Sequence, residues 1–133
     1  MNKHAIHTGR ILLAVYFLLP GILKFISWDL HIGLMEKHGM PFVTILLPLA
    51  ALTQISTSCL ILANRYVTQS ALVLAAMIIL INFSLHDFWN YSGVDGAHEL
   101  QNFVKNVGIM GGLLVLAGFS YKKSGNKTID QPT

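Results

Sequence analysis

The residues best suited to chemistry lie between His86 and Asn106, in HDFWNYSGVDGAHELQNFVKN, the densest polar and ionisable run in the chain. An unperturbed imidazole titrates near ~6.5, so His86 could relay a proton. Asp87 and Glu99 can neutralise cations, and Lys105 can donate a hydrogen bond to a carbonyl. On one helix His98, Asn102 and Lys105 fall within a narrow arc, with Glu99 and Asn106 on its flanks. Lys24 is a further cation set in apolar sequence. Lys24, His86, Asp87, Glu99, Asn102 and Lys105 are therefore the candidate ligand-binding cluster, and no catalytic residue can be named among them. Phe83, Phe88, Trp89 and Phe103 could sandwich an aromatic ring, although Trp28, Trp89 and Tyr91 also suit an interfacial aromatic belt.

Other chemistries have little support. Of the six histidines, His4 and His7 sit at i and i+3 in what reads as an N-terminal tail, and His31 and His38 lie farther apart. Neither pair makes a strong metal spacing, so no metal site is expected. The lone Cys59 excludes an intrachain disulfide and reads as a small buried hydrophobe. There is no glycine-rich phosphate loop, no CxxC and no hydrolase elbow. The nine Lys and Arg residues are scattered rather than clustered, which argues against a nucleic-acid partner.

The elements that must carry these residues follow from composition. Hydrophobic residues make up 53% and charged residues 11% of 133 residues, and so small a core cannot hide that excess. A bilayer is the fitting solvent. The fold class expected is all-α, an integral membrane four-helix bundle in a single domain over 1–121. Its spans are placed at about 10–28, 42–63, 67–89 and 98–121, each near the ~20 residues that cross the hydrocarbon. A short interfacial helix is expected between spans 1 and 2, with Leu30, Leu34 and Met35 on one side and Gly39 and Pro41 ending it. Pro20-Gly21 should bend the first span. Thr53, Gln54, Thr57 and Ser58 share a face of the second span that should point into the bundle. Gly108 and Gly112 have the small-xxx-small spacing that permits close helix approach and would suit a homodimer. Residues 122–133 read as a disordered polar cytoplasmic tail.

Lys3, Arg10, Arg65, Lys122, Lys123 and Lys127 flank the ends that share one side if the spans alternate. Asp29, Glu36, Asp87, Asp95 and Glu99 fall on the other side, with Lys37 as its loop cation. The cation bias places both termini in the cytoplasm and His86–Asn106 outside. At ~1.5 Å per residue, Lys24, Asn82 and His86 come to the outer leaflet and Lys105 lies ~10 Å down the fourth span. Asp87 and Glu99 could then neutralise Lys24 and Lys105, although snorkelling is the favoured reading for Lys24 taken alone. The cluster either locks the bundle or binds the polar head of a ligand such as a quinone.

Four segments together, GRILLAVYFLLPGILKF, HGMP, HDFW and ELQNFVKNVGIMGGLLVL, resemble the DoxX family of small bacterial four-helix membrane proteins. The resemblance runs over about residues 9–118 and is most specific at His86-Asp87-Phe88-Trp89 and Phe103-Val104-Lys105-Asn106 with Gly111-Gly112; Gly21 and Lys24 also fit. Gln54 stands where family members more usually carry a glutamate, which weakens a proton-carrying role there. The resemblance implies a bacterial inner-membrane protein linked to quinone-coupled oxidation of thiosulfate or to oxidative stress, with quinone as a possible cofactor and a membrane or periplasmic redox partner. It supplies no catalytic residue. Three readings stand: a redox-associated subunit, a non-enzymatic scaffold or assembly partner, and a small transporter, the last lacking a carboxylate near the middle of the membrane.

Overall fold

A computed structural model describes the backbone of residues 3–129 and the side chains of residues 3–122. Five helices follow in order: α1 Lys3–Ile26, α2 Trp28–Lys37, α3 Val43–Leu62, α4 Val67–Leu85 and α5 Gly93–Ile129, with a 3-10 turn at Phe88–Asn90 before α5. Four of them are long and apolar enough to cross a membrane, and α2 is the short helix expected between the first two spans.

Each element follows from its local sequence. The apolar runs of α1, α3 and α4 contain no internal charge beyond Arg10 and Lys24, so nothing stops a helix until polar or turn-forming residues arrive. Gly39, with φ 68°, closes α2 as a left-handed cap, and Pro41 follows it. The tight α3–α4 connection places Asn64 and Tyr66 at φ 57° and 49°, a region that asparagine tolerates better than most residues. No proline falls between Pro48 and Pro132, and α5 runs on to Ile129. The segment from Lys122 to Ile129, expected to be disordered, is therefore helical. The side chains of Lys123 and Lys127, together with residues 130–133, lie outside the described residues. At the other terminus His4 and His7 belong to the first turns of α1 rather than to a tail.

α1 lies along α3 and α4 along α5; α3 and α4 join the two pairs, and the α1–α5 seam is thin. The main core gathers Ala14 and Phe17 with Ile61, Ala71, Leu74, Ile78, Leu113 and Leu116. A second core under α2 joins Met35 to Val43 and Leu47, with Trp28, Ile32 and Leu85 packed on it. The bundle-facing side of α2 thus runs through Trp28, Ile32 and Met35, while Leu30 and Leu34 point outward. Large apolar side chains also cover the outside, among them Leu12, Leu52, Leu80 and Val115. Apolar inside and out is the signature of helices solvated by lipid. Cys59 is exposed on that outer surface rather than buried.

Close helix approach occurs at a different glycine from the expected one. A Cβ added to Gly21 would meet Ile55 Cγ1 at 3.0 Å, Gln54 Cβ at 3.1 Å and the Ala51 carbonyl oxygen at 3.3 Å. Gly108 has nothing within 4 Å, and Gly112 meets only the Leu13 side chain, at 3.7 Å. The glycine that sets a helix–helix distance within the chain is Gly21.

Candidate functional site

The polar residues are distributed over both ends and the interior of the bundle. At the end formed by α2 and the α4–α5 connection, two histidine–carboxylate pairs stand side by side. His38 Nδ1 meets Asp87 Oδ1 at 2.8 Å, and His86 Nδ1 meets Glu99 Oε2 at 2.8 Å. α4 ends at Leu85, so His86 and Asp87 leave the helix in an open backbone and point different ways, one to α5 and one to the turn after α2. Asn90 donates to the second Asp87 oxygen at 2.6 Å, and Lys37 lies over the Tyr91 ring at 5.6 Å. The pairs tie three separate segments together.

Beside them Phe83, Phe88, Trp89 and Phe103 form one aromatic cluster with centroids 5.2 to 6.4 Å apart; most of these ring pairs meet edge to face. Such packing is favourable for the rings themselves. The rings fill one another's faces, so the slot expected between them is not preformed.

Deeper, α4 and α5 are joined by amides. Asn106 donates to Asn82 Oδ1 at 2.8 Å, and Asn82 donates to the Phe103 carbonyl at 3.2 Å. Both asparagines are buried. Lys105, a residue away, is exposed and donates to Asn102 Oδ1 at 3.0 Å. On the other helix pair Lys24 donates to Gln54 Oε1 at 2.8 Å and to the Pro20 carbonyl at 3.4 Å.

The six residues singled out from the sequence therefore fall into separate groups. His86–Glu99 and Asp87–His38 share one end, Asn102–Lys105 lies on the outward side of α5, and Lys24 belongs to α1 and α3. The expected neutralisation of Lys24 and Lys105 by Asp87 and Glu99 does not occur, because histidines hold both carboxylates and amides hold both lysines. Lys24 does not snorkel either. Helical side chains lean toward the N-terminus, and its Nζ turns back toward Pro20, away from the nearer helix end. His38 escaped the sequence reading as a site residue. Its signal was the pairing of a second imidazole with a second carboxylate at the same bundle end, which only the alternation of spans could have suggested.

The hydroxyl face of α3 points inward as expected, with Gln54, Thr57 and Ser58 buried and Thr53 half-buried. Thr53 and Thr57 return their hydroxyls to carbonyls of their own helix at 2.8 and 2.6 Å, whereas Ser58 Oγ is buried without a partner. At the opposite end of the bundle Arg10, also buried, donates to Asn64 Oδ1, and its Nε has no partner. Among the described residues no group of three or more His, Cys, Asp or Glu side chains gathers at a point where a metal would bind.

Four apolar spans, an interfacial helix and paired ionisable groups at one rim define a multi-pass integral membrane protein. The DoxX family model matches residues 5–87, more than half of the chain, and the chain belongs to the DoxX family. The match covers α1 to α4 and stops at Asp87, short of α5. No curated protein and no solved structure matches the chain.

Proposed function

We propose that this DoxX protein is a redox-associated subunit of a bacterial inner membrane that holds the polar head of a quinone at its α2 end. The observation that carries the reading is the His86–Glu99 pair, partly exposed and set two residues from the aromatic cluster. A carboxylate that accepts from Nδ1 fixes the tautomer and leaves Nε2 as a proton acceptor. A quinol that loses electrons must also lose protons, and a partly exposed imidazole at the rim can take one and pass it to water. His38–Asp87 repeats the arrangement beside it. Lys3, Arg10, Arg65 and Lys122 flank the other end, while the carboxylates gather at this one, which supports cytoplasmic termini and an outward-facing rim. Electrons would leave through a membrane or periplasmic partner.

The test is purification in mild detergent, extraction of bound quinone and measurement of redox-dependent absorbance after adding back a soluble quinone. His86→Ala and Glu99→Gln should weaken quinone retention. A wild-type preparation that retains no quinone and shows no redox-dependent change on addition would remove the reading.

A scaffold role is favoured by a different observation: the rings pack against each other, and the two pairs clip three segments. On that reading His86→Ala lowers stability and partner recovery without affecting any chemical step. Crosslinking in membranes followed by mass spectrometry separates the two, and recovery of no partner counts against the scaffold.

A further inference from the structure

Lys24 lies two residues from the end of α1 and turns back along the α1–α3 interface to Gln54. Gln54, its acceptor, is about 15 Å along α3 from Asn64, the residue that holds Arg10 at the far end. That is half of the ~30 Å hydrocarbon thickness. A charge at this depth is costly without a counter-charge. Among the described residues no carboxylate pairs with Lys24; the ion pairs there are His38–Asp87 and His86–Glu99.

The face of α3 that Lys24 meets carries donors. Gln54 turns its carbonyl oxygen to Lys24, which leaves its NH2 to donate elsewhere. Ser58, one turn on along the same face of α3, is fully buried and its hydroxyl has no partner. Gly21 lets α1 and α3 approach closely enough for Lys24 to reach Gln54. Lys24 itself is only half-buried, and its chain neighbours Leu23 and Phe25 are exposed on the outer surface. At this depth that surface meets acyl chains.

We propose that Lys24, Gln54 and Ser58 form an intramembrane site for a lipophilic carboxylic acid. A ligand that reaches this level must dissolve in hydrocarbon, and the neutral acid does so far better than its anion. With no counter-charge at this depth, Lys24 meets the ligand as the uncharged amine; on binding, the acid O–H bond breaks, an N–H bond forms on that amine, and the resulting ammonium and carboxylate remain as a pair. Gln54 NH2 and Ser58 Oγ–H donate to the carboxylate oxygens. A phospholipid phosphate, anchored by hydration at the surface, does not reach this depth. The proposal is independent of the quinone reading.

The experiment is equilibrium binding of tritiated oleic acid to the purified protein in phosphatidylcholine nanodiscs, with unlabelled oleic acid and methyl oleate as competitors. Saturable binding displaced by oleic acid and not by its ester is expected. Lys24→Met should weaken it about tenfold or more, the scale of a charge-assisted contact. Gln54→Glu keeps the fold, because it gives Lys24 an internal carboxylate, and should abolish binding for the same reason; Lys24→Arg, whose guanidinium cannot take the acid's proton, should weaken it as well. Displacement by methyl oleate equal to that by oleic acid, or unchanged binding in a folded Gln54→Glu protein, overturns the proposal.

Discussion

Replacing Gly21 tests whether the α1–α3 distance is set where the structure sets it. A methyl group there would lie 3.0 Å from Ile55 Cγ1, 3.1 Å from Gln54 Cβ and 3.3 Å from the Ala51 carbonyl oxygen. Carbon–carbon contacts are most favourable at about 3.5–4.0 Å, so α1 must withdraw by about half an ångström. The Ile55 side chain can rotate away, but the α3 backbone cannot. A gap of that size along the interface forfeits roughly a quarter of each contact it opens. Alanine recovers about 0.8–1.0 kcal/mol of helix propensity against an overpacking cost of about 1–3 kcal/mol. Gly21→Ala should therefore be destabilising by about 1 kcal/mol, and Gly21→Val, bulkier and β-branched, by at least about 2 kcal/mol. Unfolding by SDS titration in mixed micelles, followed by helical circular dichroism, measures both. Ile55→Ala removes the nearest atom, so the Gly21→Ala/Ile55→Ala double mutant should lose less than the sum of the singles, with a coupling of about 0.5 kcal/mol or more. A Gly21→Val protein as stable as the wild type, or additive single mutants, would show that α1 and α3 do not meet there.

Asn82→Ala strands the buried Asn106 amide and should cost about 1–2 kcal/mol, whereas Asn82→Leu/Asn106→Leu, which removes both polar groups, should cost less in the same titration. Gly96→Ala would place a methyl 2.8 Å from the Tyr91 carbonyl oxygen, a backbone atom that cannot swing aside, so faster proteolysis of the α4–α5 connection is expected. His38→Ala releases Asp87 from the turn after α2 and should cost about 1 kcal/mol, with increased cleavage near Gly39. For the orientation, a membrane-impermeant maleimide applied to intact cells should label Asp95→Cys and not Arg65→Cys in a Cys59→Ser background. The reverse pattern would invert the proposed topology.

The architecture was legible because length and hydropathy act on whole segments. Runs near 20 apolar residues have few alternatives in a chain this short, and Gly39-Met40-Pro41 and Asn64-Arg65-Tyr66 mark two of the connections. Side-chain partnerships were not legible, for a geometric reason. A residue's depth follows from counting along one helix, but its partner depends on how neighbouring helices are rotated, and a rotation of one residue swings a side chain by about 100°. Thus Lys24 and Glu99 looked like partners at similar depth, while the fold puts Lys24 on the α1–α3 face and Glu99 beside α4. Cys59 was misplaced because an apolar run in a membrane helix carries no inward or outward signal: lipid and core are equally apolar. The polar face of α3 was correctly placed for the opposite reason, since a buried glutamine has few acceptable positions facing acyl chains.

The distribution of partners shows which of the interior polar groups still has bonding capacity. On the α4–α5 side Asn82 accepts from Asn106 and donates to Phe103, so a neutral amide pair largely satisfies itself and fixes the register of two helices. At the rim Asp87 and Glu99 each have an imidazole partner. Lys24 has neither kind of completion. Its partner is an amide, which offers a dipole but no charge, and its helix faces lipid rather than water on the exposed side. Gln54→Glu would convert this pair into the self-satisfied kind found elsewhere in the bundle. The difference between a glutamine and a glutamate at that one position therefore separates an α1–α3 interface that is electrostatically closed at mid-membrane depth from one that can accept an acid from the membrane.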